Sequence, residues 1–246
     1  MSMTLAQFQA DCARLSEVLG LKGHMVGVSF VNEVPESPKP AKPVVACQAI
    51  QDARFGKTVI LGRDNSKCLG ATYFLGFEPL SPLAFDFWVR NEQSLYSREA
   101  AETMISALPS PPLGRSHYVQ FTPVADARYV PELILIVANA GQISRLLGLA
   151  TFRTGRPATL FGYGATCQIA IGVPIVTDDI QVSFVDVASR HIAGFSENEQ
   201  VISIPYAQME EICRNVSESI NGTANPPFNR KGLRYLQGVW TVPDSM

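Results

Sequence analysis

The 246-residue chain is long enough for one large domain or two closely packed halves. Hydrophobic residues make up 46% and charged residues 17%, with 20 basic against 22 acidic side chains and a net charge of −2. That balance excludes a polybasic nucleic-acid binder or a protein drawn to anionic membranes, and leaves a neutral cytoplasmic protein acting on a small molecule as the expectation.

The N-terminal stretch interrupts its apolar residues with Asp11, Arg14 and Glu17, so it reads as neither signal peptide nor membrane span. Leu5, Phe8, Cys12, Leu15 and Leu19 instead fall at helical spacing, and Gly20 follows as a C-cap. Val26, Val28 and Phe30 alternate with small residues as a strand does. The proline-laden stretch 35–43 reads as loop. After it, 44-VVACQAIQDARFG-56 is an apolar run turning into a helix, 57–62 a strand, and 66-SKCLGATYFLG-76 a loop feeding a short helix. Residues 97–108 form a helix with Ser97 as N-cap, stopped by Pro109.

The cluster 109–114 marks a joint, followed by a strand at 117–124. Residues 132-ELILIVAN-139 are apolar on both faces, which predicts a central strand covered by helices. A helix follows at 142–152, then the segment 161-FGYGATCQIAIGVPI-175, then strands near 181–187 and 200–205. Met209, Ile212, Cys213, Val216 and Ile220 form a last helical stripe. The expected class is α/β, a mixed sheet with flanking helices, in a single globular domain over 1–246.

A faint rhyme between VGVSF and HYVQFTPV, and between the segments around Cys68 and Cys167, suggests a pseudo-two-fold repeat. Its two interlocked halves would be at about 21–108 and 115–206. The low charged share is also compatible with surface buried in a homo-oligomer.

Five cysteines, an odd number, argue for free thiols or a metal rather than a disulfide framework. Cys12 and Cys213 lie in apolar helical stripes and read as core packing. Cys47, Cys68 and Cys167 share another setting, each at the entrance to a helix, where free N–H groups stabilise a thiolate. Lys67 beside Cys68 adds to that effect. No C-x-x-C is present, so any shared site must be assembled by the fold. Three thiolates suit an iron–sulfur cluster (4Fe-4S) with one iron left open, or a zinc with one open position. They are also compatible with metal-free thiol chemistry, or with three separate buried thiols in a small-molecule binding protein.

Other candidates carry a plain reading beside the functional one. Arg190 and Asp186, expected at a strand end, suit either a bidentate ion pair or an Arg190 that binds a substrate anion. Asn139 and Gln142 follow the central strand, where open α/β sheets bind ligands, and equally suit helix capping. His24, His117 and His191 read as surface or structural histidines. Gly162-Tyr163-Gly164 lacks dinucleotide-binding spacing, and no P-loop or nucleophile elbow is present. Arg230, Lys231 and Arg234 read as a solvated basic face.

The runs LGLK…VGVSF, ACQAIQDARFGKTVIL and KCLGATYFLGF, then PELILIVANAGQISRLLGLA, FGYGATCQIAI and DVASRHIAGFSENEQVISIPY, resemble the prokaryotic family catalogued as domain of unknown function 169. The likeness runs from about Leu19 to Ile204. It implies cysteines at Cys47, Cys68 and Cys167 as a shared site, accompanied by Asp186 and Arg190. It implies no settled activity. The segment GHMVGVSF departs from the family's proline-containing pattern, which sets Lys22 and His24 apart.

Overall fold

The computed structural model describes residues 3–33 and 43–223. Residues 35–42 of the expected loop, and the Arg230, Lys231 and Arg234 patch, lie outside the described residues. Helix α1 (Leu5–Leu19) starts where the Thr4 hydroxyl accepts the Gln7 N–H, and ends at Gly20 in the left-handed conformation, φ 62°. Its buried residues Phe8, Cys12, Leu15 and Leu19 face α9 (Tyr206–Asn215), which answers with Met209, Ile212 and Cys213.

Six strands form one sheet: β1 (Val26–Val31), β2 (Val59–Gly62), β3 (Tyr118–Pro123), β4 (Leu133–Ala138), β5 (Gln181–Ser183) and β6 (Gln200–Pro205), in the order β2-β3-β1-β4-β6-β5. The doubly apolar reading of β4 holds. Leu133, Leu135 and Val137 enter one core, and Ile134, Ile136 and Ala138 the other. Helix α2 (Ala46–Arg54) covers the first face, while α6 (Ala140–Ala150) covers the second together with α1 and α9.

The α/β class, with helices flanking a sheet, is therefore what the chain adopts. Within the sheet every neighbouring pair is antiparallel, where a mixed sheet was expected. The reason lies in the crossovers. The connection from β1 through α2 skips one place before β2, and β3 returns into the gap running opposite to both. The connection from β4 to β5 skips likewise, and β6 fills that gap. In this order β1 corresponds to β4, not to β3 as the sequence rhyme suggests.

Two differences bear on the site. The strand expected over 181–187 stops at Ser183, because Val185 takes φ 58°, a left-handed conformation that no strand continues through. Helix α8 (Val187–Ala193) follows, with Asp186 as its N-cap. The sequence PLAFDFWVRN, not assigned beforehand, forms α4 (Pro82–Asp86) and then a π-helical turn over Phe87–Asn91.

Candidate functional site

Cys47, Cys68 and Cys167 line one recess of about 230 Å³, together with Asp186 and Ser189. Local structure explains the meeting. Val44 and Ser66 form an isolated parallel bridge, supported by Val44 N–H to the Asn65 carbonyl and Lys67 N–H to the Val44 carbonyl, both at 3.1 Å. Two chain segments thus run side by side, and each opens a helix: α2, in which Cys47 is the second residue, and α3 (Leu69–Phe74), whose N-cap is Cys68.

The third sulfur arrives from across the same core. A helix starting at Thr166 widens into a π-helical turn over Gln168–Gly172 and continues as α7 (Val173–Thr177). Gly172 sits where an added Cβ would lie 3.1 Å from the Phe74 carbonyl oxygen, so its lack of a side chain lets this turn approach α3. Cys167 is thereby brought into the recess that Cys68 lines.

The sulfurs differ in charge. The Cys68 thiol is lowered to about 7, chiefly by the hydrogen bond from Cys167. Burial opposes this shift, and the Ala71 and Gly70 N–H groups add to it. The Ala71 N–H lies 3.4 Å from the Cys68 Sγ. Cys167 is pushed well up, first by that same hydrogen bond and then by burial. Cys47 is pushed up to about 11 by burial, with the charges of Cys68 and Asp186 adding and a hydrogen bond from Ser189 opposing. Of the three thiols, Cys68 is therefore the one most easily ionised.

Asp186 binds the surrounding elements together. Its carboxylate accepts from the Thr166 N–H at 2.7 Å, the Thr166 hydroxyl at 2.6 Å, the Ser189 N–H at 2.7 Å and the Ser189 hydroxyl at 3.0 Å. Through these bonds one side chain fixes the start of α8 to the start of the Cys167 helix. The remaining wall is largely apolar, with Leu69, Phe87, Trp88, Met104, Tyr163 and Ile192 prominent; Lys67 and Glu92 stand among it.

A family model described as an uncharacterised ArCR, domain of unknown function 169, matches residues 14–215, which is most of the chain. The chain belongs to that family. No curated protein and no solved structure matches it. The matched span of this domain-169 protein includes every residue of the recess.

The other expected site residues fall elsewhere. Arg190 makes no ion pair with Asp186 among the described residues and does not line the sulfur recess; its guanidinium donates to the carbonyls of Phe184, Ser196 and Glu199. Asp186 stands at a helix start rather than a strand end, so its lone pairs are taken by N–H and O–H groups. Asn139 and Gln142 form a capping box at the start of α6, and Gln142 also donates to the Leu19 and Gly20 carbonyls at the end of α1. They lie across the sheet from the sulfurs, because α6 packs on the second face.

His24, His117 and His191 are exposed and line neither recess described here. Lys22 contributes its carbonyl to Arg54 Nε at 2.8 Å. Cys12 and Cys213 are core residues, as their stripes indicate, and belong to the same buried cluster.

Sequence reasoning missed Ser189, Thr166 and Trp88. A signal existed for Ser189: an Asp three residues before it and Gly194 beyond the last turn mark the two ends of a helix. Nothing local marked Thr166 or Trp88, which reach the recess only through packing of the elements that carry them.

Proposed function

We propose that the sulfur-lined recess is the functional centre and that Cys68 acts there as a thiolate nucleophile on a small molecule with a largely apolar body. The observation that supports this is the position of Cys68: an N-cap sulfur that accepts the Ala71 N–H, shares the recess with Cys167 and is open to it. Its lone pair forms an S–C bond with an electrophilic carbon while the bond to the leaving group breaks and its electron pair departs with that group. Cys167 keeps its proton and moves its hydrogen bond as the sulfur charge is consumed. The expected anionic substrate gives way to an apolar one, since Arg190 is spent on backbone carbonyls. Five free thiols suit a reducing, cytoplasmic setting. No helix among the described residues is long and apolar enough to cross a membrane.

A second reading follows from Cys47, which two-thiol chemistry leaves without a task. Three soft donors on three helix starts suit an iron–sulfur cluster, each sulfur on its own iron. Cys47, Cys68 and Cys167 would hold it, and its fourth iron would supply a Lewis acid to the recess. A single zinc with one open position is the alternative occupant of the same three sulfurs.

Anaerobic purification separates these readings. Brown protein with stoichiometric iron and sulfide favours the cluster. Colourless protein in which iodoacetamide labels Cys68 ahead of Cys47, with a midpoint near pH 7, favours the thiolate. Colourless protein with uniformly slow labelling of all five thiols sinks both and leaves a non-catalytic binding protein.

A further inference from the structure

We infer that the sulfur-lined recess and a second recess beside it hold one ligand between them: an uncharged, elongated apolar chain, its reactive head at Cys68 and its tail running past Tyr163. The inference rests on the thiolate reading for the head and on independent geometry for the tail. The second recess has a volume of about 140 Å³ and shares Ser94, Tyr163, Gly164 and Asp186 with the first. Neither space alone reaches the roughly 300 Å³ at which small-molecule sites begin, but the two joined do.

The tail's chemistry is set by the walls. Phe161, Val182, Phe184 and Val187 are apolar, and Asp186 is the only carboxylate, with no Lys, Arg or His, among the described residues lining this recess. That carboxylate already accepts four hydrogen bonds from Thr166 and Ser189, so it offers no partner to a charged tail.

The surface at the mouth points the same way. Tyr163, Phe184 and Val187 are 58%, 57% and 76% exposed. A rim of large apolar side chains around a recess marks a ligand site more than a resting surface. The turn at Val185 produces this layout: its left-handed backbone sends Asp186 toward the sulfurs and leaves Phe184 and Val187 along the second recess.

The test uses the full chain and a series of N-alkyl iodoacetamides, in which Cys68 sulfur displaces iodide. The expected result is that N-octyl iodoacetamide alkylates Cys68 about tenfold or more faster than iodoacetamide itself, and that Val187→Asp brings this ratio toward one. Equal rates for both reagents overturn the inference while leaving the thiolate reading in place. Slow reaction with every reagent would sink the thiolate reading instead. The tail site is then decided with unreactive N-octylacetamide against N-methylacetamide, read by Trp88 fluorescence in a Trp240→Phe background. A saturable change with the octyl compound alone, weakened by Val187→Asp, upholds the tail site. No change, or the same change with both amides, overturns it.

Discussion

Cys68 and Cys167 line one recess from the starts of two helices that lie far apart in sequence, and each shifts the ionisation of the other. Cys167 lowers the Cys68 thiol and is itself raised, so removing it should return Cys68 toward ordinary behaviour. In Cys167→Ala the labelling midpoint of Cys68 is expected to rise from near 7 toward the ordinary 9.0. Cys167→Ser retains a donor and should shift it less. An iodoacetamide rate profile over pH measures both, and an unmoved midpoint in the alanine variant would remove the basis for the pair.

Cys47 gives a prediction at alkaline pH. Burial holds its thiol at about 11, above the ordinary 9.0. For a group whose folded pKa is raised, the stabilisation is complete below the unfolded value and is lost as pH climbs toward the folded one. Thermal stability should therefore fall from about pH 9 upward, and Cys47→Ser should flatten part of that decline. Cys68 works in the opposite sense, its contribution being present above 9.0 and lost as pH falls through about 7. Melting midpoints across this range check both signs.

Arg54 is a buried cation held by Glu199 at 2.5 Å, the Lys22 carbonyl and Gln51. Glu199→Ala leaves the guanidinium without its anion and is expected to cost about 3 kcal/mol. Glu199→Gln keeps a hydrogen bond and should cost less. Urea midpoints report both. Equal midpoints for wild type and alanine variant would show that the pair is solvated in solution.

Val185 is a β-branched residue at φ 58°, and its side chain is buried. Replacing it with glycine relieves about 1–2 kcal/mol of backbone strain and removes about 1.5–3 kcal/mol of apolar burial. The net change in Val185→Gly should lie between a gain of about 0.5 kcal/mol and a loss of about 2 kcal/mol. A loss of 3 kcal/mol or more would mean that the turn carries no strain.

Much of the fold is legible where local chemistry and tertiary packing agree. Helix α1 announces itself by spacing and by Gly20, and β4 by apolar residues at every position, because both faces of that strand are covered. The helix entrances of Cys47, Cys68 and Cys167 are legible for the same reason: the preference is set by neighbours in the chain. The strand expected through residue 187 fails at Val185, since a residue of high strand propensity was forced into a turn by what surrounds it.

The sequence by itself determined most of the helices and strands, and that three cysteines sit at helix starts, because periodicity and capping act over a few residues. Only the tertiary structure decided that those three starts share one recess, that Arg190 serves backbone carbonyls, and that Asn139 and Gln142 lie on the far face. Such placements depend on strand order and helix crossing, which arise from contacts between residues tens of positions apart and leave no mark in any short stretch of chain.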